Sequence, residues 1–160
     1  VAKELDQIAG LEGTLENFSA YKLEIEQVTQ KLKEDLTQNL PDSSKRILIT
    51  SHDAFAYFGS AFDFEVRGLQ GISTAAEYGT KDVKNLVDFV IANEIKSVFV
   101  ETSVSNKNLK AVIEAANARG YQLGIGGTLY SDALGEEGTP SGTYKGMLQA
   151  NVRTIIKGLK

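Results

Sequence analysis

The stretch ILITSHDAFAYF, residues 47–58, passes from one kind of backbone to another within a few letters. Ile47 to Thr50 is a short β-branched, apolar run, the pattern of a strand on a buried pleated surface. From Ala54 onward the apolar residues of AFAYFGSAF crowd together as a helix. A strand that hands its chain directly to a helix is the first half of a strand–helix–strand unit. Between the two stand Ser51, His52 and Asp53, and His52 is the single histidine of the chain.

The alternation repeats downstream. EVRGLQGI (65–72) is a second strand candidate, weakened by its glycines. TKDVKNLVDFVIANEI (80–95) puts Val83, Leu86, Val87, Val90 and Ile91 on one helical face, with Thr80 placed to cap it. SVFVET (97–102) is a third strand, and its unbroken apolar centre predicts burial on both faces. SNKNLKAVIEAANARGY (105–121) reads as a helix stopped by Gly120, YQLGIGG (121–127) as the fourth strand. A polar loop, TLYSDALGEEGTPSG (128–142), then leads to a final helix from about Thr143 to Leu159.

Upstream the texture differs. VAKELDQIAGLEG (1–13) is a short helix interrupted by Gly10 and Gly13. Residues 15–39 form an amphipathic helix, with Phe18, Tyr21, Ile25, Val28, Leu32 and Leu36 at three- and four-residue spacings. LPDSSKR breaks that pattern. The expected architecture is therefore α/β: a helical segment over residues 1–42, then a domain over residues 43–160. That domain is a four-stranded parallel sheet with right-handed crossovers and helices on both faces, preceded by the long amphipathic helix.

Composition narrows the function. At 42% apolar and 24% charged residues the chain can build a core and is not a disordered sequence. A net charge of −4 with no run of Lys and Arg argues against a nucleic-acid partner. The apolar runs are too short for a transmembrane segment, and no signal or lipid-anchor segment is expected within this chain. Cysteine is absent, which excludes a disulfide framework, a thiol nucleophile and a cysteine metal cage.

In a doubly wound sheet, ligands sit beyond the carboxyl ends of the strands. The residues to weigh are Ser51, His52 and Asp53; Gly71–Thr74; Glu101, Thr102 and Ser103; and Thr128–Gly135. Ser51–His52–Asp53 fails as a hydrolytic triad, because adjacent residues at a helix start fan outward and cannot place the ring between nucleophile and carboxylate. Asp53 reads instead as an N-terminal helix residue facing the unpaired amides. His52 has two open readings, a metal ligand at the crevice or a histidine hydrogen-bonded at a helix start. Asp132, at a strand end expected to lie beside that of His52, could join it as a second donor or serve as a turn aspartate. Glu101 could orient the histidine or cap the following helix. Gly124, Gly126 and Gly127 lack the Lys–Ser/Thr of a phosphate loop and are read as sites of close backbone approach. With no matched acid, nucleophile or cofactor loop, His52 is not expected to be a catalytic base, and the chain is not expected to be an enzyme.

Three stretches, ITSHDAFAYFGSAFDFEVRGLQGIST, KSVFVETSVSNKNLKAVIEAANARG and GGTLYSDALGEEGTPSGTY, together resemble the C-terminal lobe of a bacterial family. It comprises the zinc- and manganese-binding solute receptors of ABC transporters, also known as adhesin-like metal-binding lipoproteins. The similarity runs from Arg46 to the end, and TSHDAF followed some eighty residues later by LYSDALG is its most specific part. In that family two α/β lobes joined by a long helix hold the metal in the cleft between them. The resemblance implies that His52 and Asp132 are this lobe's two ligands, and that two more, usually histidines, come from an N-terminal lobe. It implies a periplasmic or cell-surface setting and an ABC permease as partner. With one histidine and no N-terminal lobe, the chain is expected to be a single lobe with an incomplete site. Zn²⁺ or Mn²⁺ would then bind weakly or not at all, since a closed tetrahedral site wants four ligands. The alternative expectation is a structural or interaction module without a working metal site, forming a homodimer through the exposed lobe face.

Overall fold

Every residue of Ile47–His52 is buried, which only a strand flanked on both sides and covered on both faces can achieve. The protein was analysed as a computed structural model, and the structure describes residues 1–8, 10–70 and 79–160. The strands are β1 (Ile47–His52), β2 (Glu65–Gln70), β3 (Ser97–Glu101) and β4 (Gly124–Leu129). They form one parallel sheet in the order β2-β1-β3-β4. The helices are α1 (Ala2–Leu5), α2 (Thr14–Asn39), α3 (Ala56–Phe62), α4 (Thr80–Ala92), α5 (Lys107–Ala118) and α6 (Tyr144–Leu159). The α/β reading of the sequence, with its four parallel strands and long preceding helix, holds.

Side chains alternate across the sheet as strand geometry requires. Ile47, Ile49, Val98 and Val100 join Leu86, Val87 and Val90 of α4 and Leu109, Val112 and Ala116 of α5 in one buried cluster. Phe99 points the other way, toward Gly158 of α6. Two glycines of β4 are sites of close approach, as the sequence reading has it: a Cβ on Gly126 would stand 3.0 Å from the Phe99 ring, and one on Gly127 would run into the Thr154 side chain of α6. Gly124 is not one, since a Cβ there would meet nothing within 4 Å.

Two compact units divide the chain, Val1–Asp35 and Leu36–Lys160. Within the first, Gly10 and Gly13 have φ of +85° and +86°, a left-handed backbone that glycine adopts without strain. They separate α1 from α2, and the Asp6 carboxylate accepts the Leu15 N–H at 3.0 Å. Phe18 and Tyr21 at the start of the apolar stripe are exposed, and Ile25 and Val28 are half-buried.

Three boundaries and the order of the strands differ from the sequence reading. The turn after β1 is tighter than expected: the His52 carbonyl accepts the Ala54 N–H at 3.0 Å and the Thr50 hydroxyl at 2.8 Å. Helix α3 therefore begins only at Ala56, and Asp53 lies outside it. Helix α4 is capped at Gly79 rather than Thr80, because the Asp82 carboxylate reaches back to the Gly79 N–H at 3.0 Å. Strand β4 begins at Gly124, because Tyr121 and Leu123 are tied to the end of α5 through Ala116 and the Asn117 side chain. Finally, β3 lies between β1 and β4, so the strand ends of His52 and Asp132 are not neighbours. The candidate segment Gly71–Thr74 lies outside the described residues.

The order β2-β1-β3-β4 places the topological switch point between β1 and β3. The chain leaves β1 to one side for β2, then crosses to the other side for β3. That is where a crevice opens in such sheets. Gly158→Ala tests the packing beneath it. The new Cβ would lie 2.7 Å from the fully buried Phe99 ring and 2.9 Å from Gly126 Cα. Despite alanine's better helix propensity, a loss of about 1–3 kcal/mol is expected in urea unfolding.

Candidate metal centre

His52 ends β1 and Glu101 ends β3, so the two face each other across the switch point. Both side chains are buried, the glutamate completely. Glu101 Oε1 accepts the His52 backbone N–H at 2.9 Å, and Oε2 lies 2.7 Å from His52 Nδ1. The second contact is close but not aligned as a hydrogen bond, and neither atom has a hydrogen-bond partner. Both carboxylate oxygens are thus turned toward one residue. A buried carboxylate without such a neighbour would be strongly unfavourable.

Asp132 reaches the other side of the ring. It lies three residues beyond β4, in a left-handed backbone with φ of +53°, a conformation aspartate tolerates better than most residues. Its Oδ2 stands 3.1 Å from His52 Nε2. The loop that carries it is tied to the end of β3 by the Thr102 N–H to the Leu129 carbonyl at 3.0 Å, and by Ser103 and Ser131 hydroxyls 2.6 Å apart. Those ties bring Asp132 over the intervening strand. His52, Glu101 and Asp132 therefore form one row in space. Ser51 is buried beside them without a polar partner for its hydroxyl, and Asp53 lies instead on a separate depression of about 390 Å³. The serine contacts were not singled out in the sequence. Ser103 and Ser131 fall within the strand-end segments weighed there, but nothing in the sequence pairs them.

The row sets an imidazole nitrogen beside a carboxylate oxygen, and what that pair can do depends on the tautomer. A neutral imidazole has one donor and one acceptor nitrogen. With the proton on Nε2, the ring donates to Asp132 Oδ2; with the proton on Nδ1, facing Glu101, Nε2 directs a lone pair at that oxygen. In the second tautomer two acceptors stand so close that they repel unless a positive charge lies between them. Two ligands of one tetrahedral ion stand roughly 3.3 Å apart, close to the 3.1 Å found here. Among the described residues no three His, Cys, Asp or Glu side chains converge on one point. The row brings together one imidazole and two carboxylates.

Known proteins resemble this chain over most of its length. The profile of the family described as zinc-uptake complex component A, periplasmic, matches residues 7–158. The manganese-binding lipoprotein MntA of Bacillus subtilis is 48% identical over 144 residues, covering 90% of this chain and 46% of its own. The zinc-binding protein TroA of Treponema pallidum is 40% identical over 144 residues, with 90% and 46% covered. Its solved structure superimposes with a TM-score of 0.89 at 36% identity, over 99% of this chain and 57% of that one. A metal ABC transporter substrate-binding lipoprotein of Lactococcus lactis is 30% identical, with 89% and 46% covered. The chain spans about half the length of the curated relatives it matches.

Glu101→Ala is expected to leave the buried His52 N–H without an acceptor and to lower stability by about 1–3 kcal/mol. Glu101→Gln, which keeps an acceptor oxygen, should lose less. Urea unfolding of the two variants beside the parent measures the difference.

Proposed function

Since this chain belongs to the periplasmic zinc-uptake component family of metal-binding ABC-transporter solute receptors, we propose that it holds Zn²⁺ or Mn²⁺ as cargo through His52 and Asp132. His52 Nε2 and Asp132 Oδ2 are the donors, and Glu101 holds the ring so that Nε2 faces the ion. The observation that carries this reading is the 3.1 Å approach of the two donors, with Glu101 on the opposite nitrogen. A carboxylate behind a ligating histidine fixes its tautomer and raises its basicity.

Two protein donors leave a four-coordinate ion short. Water, or side chains of the rest of a two-lobed receptor, complete the shell. The role is capture and delivery to an ABC permease at the outer face of the cell, not catalysis. The imidazole favours zinc on ligand softness and on the order of divalent affinities. The similar proteins are named for manganese in one case and zinc in another, so the fold serves either ion. A self-associating module without a metal site is supported less well, since these relatives are named as metal-binding proteins. Among the described residues no helix is long and apolar enough to cross a membrane.

Calorimetric titration of the metal-free chain tests the reading. One weakly held Zn²⁺ per chain is expected, with Mn²⁺ weaker. His52→Ala and Asp132→Ala should each lower Zn²⁺ affinity by at least about tenfold. If both variants bind as the parent does, the site is wrong.

A further inference from the structure

Tyr130, two residues before Asp132, is gripped by a side chain from another element. Its N–H donates to Asn151 Oδ1 at 2.9 Å, and Asn151 Nδ2 donates to its carbonyl oxygen at 2.9 Å. Asn151 belongs to α6 and is 2% exposed. A flipped amide would set NH₂ against N–H, so the contacts themselves define its orientation. The second Nδ2 hydrogen points to Met147 Sδ at 3.4 Å. Strand β4 ends at Leu129, and the Asn151 amide gives the next residue the pair of bonds a neighbouring strand would have given.

The remainder of the loop is tied in the same region. The Ser141 hydroxyl donates to the Tyr130 hydroxyl at 3.2 Å, and the Gly135 N–H donates to the Ser141 carbonyl at 2.9 Å. Asp132 sits inside this frame in a left-handed backbone, with its side chain 65% exposed. So exposed a carboxylate is not placed by packing. Its distance from His52 follows from where the backbone is held.

We propose that Asn151 is a positioning residue for metal capture: by clamping both backbone polar groups of Tyr130, it keeps Asp132 at ligand spacing from His52. The proposal rests on the reading of His52 and Asp132 as the donors. Asn151 touches no metal and acts only through Asp132.

Because His52 is the single histidine, its ring ¹⁵N signals report the Asp132 contact directly, with or without metal. Asn151→Leu removes both clamp bonds. Asn151→Asp is isosteric and keeps the acceptor for the Tyr130 N–H, so it supplies a folded sample if the leucine variant does not. In metal-free protein at one pH, both should move the Nε2 signal toward its position in Asp132→Ala. Added to Asp132→Ala, they should move it no further. Zn²⁺ affinity should fall about tenfold for Asn151→Leu in the parent and less than about twofold in the Asp132→Ala background. An unchanged Nε2 signal in the folded variants, or equal losses in both backgrounds, would overturn the positioning role. If the parent binds no Zn²⁺, the metal reading fails, and the ring signals still decide whether Asn151 places Asp132.

Discussion

A glutamate side chain with no solvent exposure, set against the one histidine at the ends of two adjacent parallel strands, is the constraint on which the site's arrangement depends. Burying a carboxylate is tolerable only where hydrogen bonds and a positive or polar partner receive it. Here the partner's backbone and ring both do so, which fixes the relation of β1 to β3 at the point where the sheet opens. Turning the ring would carry Nδ1 away from Glu101 Oε2, which it faces at 2.7 Å. Its outer nitrogen is therefore aimed by the core of the protein.

The third member of the row is held by different means. Asp132 is exposed and belongs to a loop, so its place depends on covalent and hydrogen-bonded ties to β3 and α6 rather than on burial. Those ties are built on close packing. A Cβ at Gly146 would collide with the Pro140 carbonyl oxygen, so the loop and the first turn of α6 meet backbone to backbone. Further along α6, Gly158 does the same against Gly126 and the Phe99 ring. Small residues on one helix thus bring the sheet, the loop and the Asn151 amide into register.

Much of this was legible in the sequence, for reasons particular to each element. The unbroken apolar run Val98–Val100 identified a strand buried on both faces, and Gly120 marked the end of α5 because its φ of +78° suits glycine. His52 and Asp132 stood out by lying at strand ends and by the motifs around them. What was not legible was set by contacts between distant residues. Asp53 resembles a helix-start aspartate, yet the Thr50 hydroxyl and Ala54 N–H on the His52 carbonyl delay the helix past it. The order of strands cannot be read from their sequence, so the place of β3 between His52 and Asp132 emerged only in the fold. Asn151 gave no sign at all, since a buried asparagine on a helix acquires its meaning from the backbone it meets.

The two proposed donors differ sharply in access, with the His52 side chain 4% exposed and that of Asp132 65% exposed. On the proposed reading, a hydrated cation diffusing in from solvent would meet the carboxylate while still carrying most of its water. Carboxylates exchange readily with the waters of such ions, whereas the recessed imidazole would be reached only after some had left. The asymmetry would then set a sequence of events: electrostatic tethering at the rim first, dehydration next, and nitrogen coordination last.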